Sequence, residues 1–214
     1  MACHSNASEA SRKLQIHLDE IQKWLRKWRI KANETKSVHV TFTLKRETCP
    51  QVYINRKPLP QVECVRYLGL HLDRRLTWRP HIFNKRKQLG LKLTKLLWLL
   101  GRNSKLSLEN KLCIYKVILK PIWTYGIQLW GSAAKTNIDI LQRFQSKVLR
   151  MIVEAPWFVS NETIHRDLKV CYVHDEIKKC SEKYLKRLEI HPNSSAVNLL
   201  DNSMDIRRLK RFKP

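Results

Sequence analysis

From Glu9 to Arg29 the apolar residues Leu14, Leu18, Ile21, Leu25 and Trp28 recur at steps of four and three, which predicts an amphipathic helix. Asn33-Glu34-Thr35 interrupts the pattern. Ser37 to Leu44 then alternates with period two, predicting a strand with Val38, Val40, Phe42 and Leu44 on one side. Gln51 to Ile54 predicts a second strand, closed by turn chemistry at Asn55-Arg56-Lys57-Pro58. A third apolar run, Val62 to Leu72, carries Gly69 in its middle, a position that marks a bulge or a close backbone approach.

After Trp78 the period becomes helical. Leu89, Leu93, Leu96, Leu97 and Leu100 predict a helix over 80–100 that Gly101 ends. Ser107 caps a second helix running towards Leu119, where Pro121 either kinks it or begins a third. Thr136 with Asp139 reads as a capping box for a helix whose inner face is Leu141, Phe144, Val148 and Ile152, and Pro156 stops it. Ser160 or Asn161 caps a short helix. Val173 to Leu188 follows, with Ile177, Cys180, Tyr184 and Leu188 inward. From Pro192 the chain is polar, and its basic end, Arg207 to Lys213, is expected to be mobile. The pattern is α+β: one helix with a short antiparallel sheet, followed by a mainly helical remainder.

Charge changes this picture more than composition does. In 214 residues, 42 Lys and Arg face 18 Asp and Glu, a formal net charge of +24, while 43% hydrophobic residues suffice for a packed core. A folded body so charged attracts polyanions and releases their counterions, which makes nucleic acid the leading partner. No run approaches the apolar length of a membrane span, and the first twelve residues lack the apolar centre of a secretory signal, so an intracellular protein with no membrane partner is expected. The charge is concentrated: from Arg79 to Lys120 there are eleven basic residues and one acidic residue, Glu109. Helical spacing aligns Lys85, Lys92, Lys95 and Arg102, with Arg86 beside them, in a cationic stripe expected opposite the leucines. A solvating face usually mixes signs; this one repels itself without a partner.

Other chemistry is sparse. The five glycines form no phosphate-cradling loop. The acidic pairs Asp19-Glu20 and Asp175-Glu176 lie in predicted helices, where neighbouring side chains diverge, so no metal site is expected in this chain. His165, Cys171, His174 and Cys180 lack the tight CxxC pair of a zinc knuckle, and the six scattered cysteines read as reduced, mostly core thiols. Trp78, Trp123, Tyr125 and Trp130 are candidates for base stacking, with core filling the stronger reading.

Several segments resemble a known family. Trp24-Leu25-Arg26-Lys27-Trp28-Arg29-Ile30-Lys31-Ala32-Asn33-Glu34-Thr35-Lys36-Ser37 does so, as do Val65-Arg66-Tyr67-Leu68-Gly69-Leu70-His71-Leu72-Asp73, Leu76-Thr77-Trp78 and His81-Ile82. With Leu119 to Gly131 and Leu141 to Lys147, they resemble the end of the reverse transcriptase of jockey-type non-LTR retrotransposons, over about Ser8 to Pro214. The resemblance implies the end of a polymerase palm over 1–78, a basic helical thumb over 79–155 and a carboxy-terminal extension over 156–214. It implies a primer-grip hairpin at Tyr67, Leu68 and Gly69, and a lysine near the leaving pyrophosphate at Lys36. Lys85, Arg86, Lys92, Lys95 and Arg102 would bind the RNA template and DNA primer duplex.

The family's paired aspartates, its fingers and its endonuclease would all precede Met1. The resemblance therefore implies a carboxy-terminal piece of an RNA-directed DNA polymerase that partners the missing palm and fingers. It would be inactive alone and hold no cofactor, with Mg²⁺ serving the intact parent, a nuclear enzyme. The alternatives are a stand-alone basic helical nucleic-acid-binding protein and a non-functional retrotransposon remnant.

Overall fold

A computed structural model describes residues 2–46 and 48–197, and these divide into two compact units, 1–76 and 77–214 in sequence. Together they form a mixed α+β structure. The basic end, Arg207 to Lys213, lies outside the described residues.

The first unit opens with α1 (Ala7–Lys27), capped by Asn6, whose side-chain oxygen accepts from the N–H groups of Ser8 and Glu9. Strands β1 (Tyr53–Ile54) and β2 (Lys57–Pro58) pair antiparallel across Asn55 and Arg56, both at positive φ, the geometry that matches the strands' own twist. Leu14, Leu18 and Ala32 pack against a small core of Val52, Ile54 and Leu59. So small a sheet cannot cover the whole predicted face, and Ile21, Trp24 and Trp28 stay exposed, the two tryptophan rings 6.2 Å apart.

Two expectations fail here. Ser37 to Leu44 is not a strand: it makes one parallel bridge, His39 to Gln61, and two further backbone bonds, Ser37 N–H to the Glu34 carbonyl and Thr43 N–H to the Arg74 carbonyl. Without a continuous ladder the alternation loses its hold, so His39 is buried while Val38, Phe42 and Leu44 are exposed. The run Val62 to Leu72 is not the single strand its apolar pattern predicts but a hairpin, turning where the resemblance implies one, with β3 (Cys64–Tyr67) and β4 (Leu70–Asp73) in register from Cys64 opposite Asp73 to Tyr67 opposite Leu70.

The second unit is helical. α2 (Arg79–Leu100) and α6 (Lys135–Ile152) pack together, with α3 (Leu108–Ile114), α4 (Lys120–Thr124), α5 (Ile127–Trp130), α7 (Asn161–Asp167) and α8 (Val173–Glu189) around them; α9 (Ser194–Val197) follows. Its interior includes Leu89, Leu93, Leu100, Trp123, Trp130, Leu141, Phe144, Val148 and Ile177. Ser107 and Ser160 cap α3 and α7 as expected, accepting from the Asn110 and Thr163 N–H groups. The capping box at Thr136 does not form: α6 starts two residues before Asn137, after Ala134, which places Thr136 inside the first turn.

Between α3 and α4 the backbone widens into a π turn over Tyr115–Leu119. Pro121, with no N–H to give, follows this turn in the first turn of α4, where no helical hydrogen bond is required of it. Leu97 departs from its predicted burial and is 43% exposed. Of the inward set predicted for α8, Ile177 and Leu188 are buried, whereas Tyr184 is 45% exposed. Nor are the cysteines core thiols: all six are free, and Cys3, Cys64, Cys113 and Cys171 are exposed at outward positions, with Cys49 and Cys180 half-buried.

Candidate nucleic-acid interface

In the first unit two turns carry the candidate residues. The β3–β4 turn is made by Leu68 and Gly69, with φ of 46° and 77°. Both angles lie in the left-handed region that a two-residue hairpin demands; glycine reaches it freely, but leucine only against steric resistance. The turn nonetheless presents Leu68 and the neighbouring Tyr67 to solvent, 70% and 62% exposed.

The second turn is a single 3₁₀ turn, Glu34–Lys36. The Asn33 side-chain oxygen accepts from the Lys36 N–H at 3.1 Å and from the Thr35 hydroxyl at 2.7 Å. Glu34 fastens the turn to the β1–β2 hairpin, accepting from the Asn55 amide at 2.9 Å and pairing with Lys57 at 2.5 Å. The Lys57 ammonium, then the Asn55 amide, hold the Glu34 carboxyl below its ordinary pKa. Lys36 itself is exposed at the end of this fixed turn.

In the second unit α2 has no acidic residue over its 22 positions. Its cations do not form a straight rail opposite the leucines. Lys85 precedes buried Leu89 by four residues and so lies beside the core face, and the row turns outward through Lys92 and Lys95 to Arg102. Lys85 rests over the Tyr125 ring at 5.2 Å and Arg86 over Phe144 at 4.6 Å, both half-buried. Lys92, Lys95 and Arg102 are exposed.

Two cations of the unipolar segment are matched by carboxylates from outside it. Lys111 is buried, donating to the Gly101 carbonyl at 3.3 Å and meeting Glu154 at 3.5 Å, and Lys120 pairs with Glu176 at 2.9 Å. The outward side of α2 also carries Phe83, Leu91 and Trp98, the last 74% exposed. Sequence reasoning missed Trp98, although it stands seven residues after Leu91, off the leucine face.

Of the stacking candidates, Trp78, Trp123 and Trp130 are buried and Tyr125 is half exposed beneath Lys85. Trp78 donates its indole N–H to the Ser132 hydroxyl at 3.1 Å, tying the start of α2 to the segment before α6. The four candidate zinc ligands do not converge. His165 is buried, stacked on Tyr172 at 4.0 Å, with Nδ1 2.8 Å from the Val170 carbonyl and Nε2 3.3 Å from the Gln142 amide. Burial lowers its pKa. Cys171 and His174 face outward, and Cys180 lies 4.0 Å from Glu176.

Among the described residues no three His, Cys, Asp or Glu side chains gather to hold a metal, and no helix is long and apolar enough to cross a membrane. Asp19-Glu20 and Asp175-Glu176 lie within α1 and α8, where their side chains diverge.

The chain is 47% identical over 212 residues to a probable RNA-directed DNA polymerase from the X-element transposon of Drosophila melanogaster. It is 41% identical over 214 residues to the RNA-directed DNA polymerase of the mobile element jockey from Drosophila funebris, and 38% over 209 residues to that of Drosophila melanogaster. These matches cover 94–99% of the chain but 23% of each relative. No protein-family model and no solved structure matches it. Its homologues are thus jockey and X-element RNA-directed DNA polymerases, and it corresponds to less than a quarter of their length.

Proposed function

We propose that this chain is the part of a jockey-type RNA-directed DNA polymerase that grips the template–primer duplex, from the end of the palm through the thumb to a carboxy-terminal extension. The observation that carries this reading is α2: a 22-residue helix without a carboxylate, exposing Lys92 and Lys95, with Arg102 exposed just beyond its end. Cations so arranged hold a sugar-phosphate backbone without reading bases, which is what a polymerase moving along any sequence requires. Lys85 and Arg86, seated on aromatic rings, stiffen the inner margin of that surface.

In this reading Tyr67, Leu68 and Gly69 position the primer's 3′ end, and the exposed, strained turn tip supports the assignment. Lys36 faces the leaving pyrophosphate, to neutralise its charge or donate a proton. The family's chemistry calls for magnesium. The residues described here do not fit it, so no catalytic step is assigned to this stretch and the metal-binding aspartates are expected elsewhere in the polymerase.

Titrating a template–primer duplex with the chain at increasing salt tests the grip. The log–log plot of affinity against salt is expected to have a clearly negative slope. The triple variant Lys92→Glu, Lys95→Glu, Arg102→Glu should weaken binding to all sequences alike and flatten that slope by about one for each phosphate no longer neutralised. A slope near zero, or unchanged affinity in the variant, would sink the proposal.

A further inference from the structure

The turn between α6 and α7 is built in a way the duplex grip does not use. Trp157 and Phe158 are its two central residues, closed by the Val159 N–H bonding to the Pro156 carbonyl at 3.2 Å. Trp157 is 90% and Phe158 71% exposed, their rings 6.0 Å apart and nearly perpendicular at 82°.

Leaving two large aromatic rings in water forfeits the burial that fixes most aromatics in a fold, so an unanchored turn would fold them back. Here a single side chain anchors it. The Arg150 guanidinium donates to the Pro156 carbonyl at 2.8 Å, the Val159 carbonyl at 2.7 Å and the Asn161 side-chain oxygen at 2.9 Å. Both ends of the turn are thereby bound to α6. Arg143, Lys147 and Arg150 follow one another at steps of four and three, a single row on α6, and the first two are exposed. The carboxylates around this row include Asp139, one helical turn before Arg143 on α6, Glu154, which meets the buried Lys111, and Glu162 and Asp167 on α7, the last 3.5 Å from Arg166.

We propose that Trp157 and Phe158 form a base-stacking platform for single-stranded nucleic acid, with Arg143 and Lys147 as its phosphate contacts. Rigid exposed aromatics at the end of a cationic row are the two components by which proteins hold unpaired strands of any sequence: rings for the bases, cations for the backbone. Arg150 serves the platform by holding the turn, with three of its five N–H donors on it. The inference deepens the polymerase reading by giving this unit a second nucleic-acid contact, for strand outside the duplex. It rests on that reading only in taking nucleic acid as the ligand.

The test uses the full chain, a short oligouridylate carrying one 2-aminopurine, and a hairpin duplex. The double variant Trp157→Ala, Phe158→Ala is expected to lose roughly 10-fold or more in single-strand affinity, the size of one base–aromatic stack, and to keep its duplex affinity. Trp157→Phe should retain most of the binding, and 2-aminopurine emission should fall when the unaltered chain binds. Unchanged single-strand affinity in the double variant, an equal loss on duplex, or unaltered 2-aminopurine emission would each overturn the platform. A turn that instead docks a protein gives the first of these results. Loss of duplex binding in the Lys92, Lys95 and Arg102 triple variant reports on the grip alone, so the two proposals fail separately.

Discussion

Leu68 stands at the tip of the β3–β4 hairpin in a conformation that asparagine or glycine adopts more readily. Replacing it with Gly is expected to raise hairpin stability by a few tenths of a kcal/mol up to about 1 kcal/mol, read as a higher melting temperature, and to weaken primer-terminus binding. Gly69→Ala, at φ 77°, should instead cost about 1 kcal/mol or more. His165 makes a different kind of prediction. Its buried ring accepts from Gln142 when neutral, while Gln142 uses its oxygen to cap the Val173 N–H at the start of α8. Since burial lowers the folded-state pKa, the unfolded chain takes the proton first. Stability is therefore retained above the ordinary value of 6.5 and declines as pH falls through that value towards the folded one. His165→Gln should flatten this acid limb in pH-dependent melting, although buried His39, shifted the same way, keeps part of it. The sequence offered His165 only as a metal-ligand candidate, because its real partners are 23 residues upstream and the backbone of its own loop.

Elements were legible where periodicity and packing agree. The α6 face of Leu141, Phe144, Val148 and Ile152 is buried as its spacing predicts, and Ser107 and Ser160 cap as their chemistry predicts. Alternation without a partner strand was misleading at Ser37 to Leu44, since periodicity reports what a strand would bury and not whether a ladder exists to hold it. On α2 the leucines were legible, but the outward apolar positions were not, because a helix apolar on two sides has no single stripe to read. Gly101 does end α2, without a left-handed backbone. Its φ is −73°, and an added Cβ would stand 2.6 Å from the Leu97 carbonyl oxygen. Gly101→Ala is therefore expected to cost about 1–3 kcal/mol in denaturant unfolding. Beside it, Glu154→Gln should cost about 1–2 kcal/mol by leaving the Lys111 charge buried, less than for a fully buried pair because the Glu154 side chain is 40% exposed. Lys111→Met, which removes the charge as well, should be the milder change.

At the scale of the molecule, charge is what points to a polyanionic partner, since +24 on 214 residues is a property that folding redistributes but does not remove. Folding did change which cations remain available. Lys111 and Lys120 find carboxylates from the end of α6 and from α8, pairings invisible to a count within one segment. The candidate aromatics were sorted in the same way, with Trp78, Trp123 and Trp130 spent on core and Tyr125 left half exposed. A ligand that binds the folded chain and not the unfolded one raises its melting temperature with ligand concentration. Short duplexes should do so here in low salt, and the shift should shrink steeply as salt rises; a salt-independent shift would point away from phosphate contacts.

The wide turn at Tyr115–Leu119 has a consequence for how the gene can change. A π turn holds one residue more than the α-helical turn it replaces, and Val117 within it is 66% exposed. Loss of that single codon would leave the inward rows of α3 and α4 in phase, provided Pro121 also became a residue able to donate its N–H. Either alteration alone should be worse tolerated than both together, a case of epistasis written into the backbone.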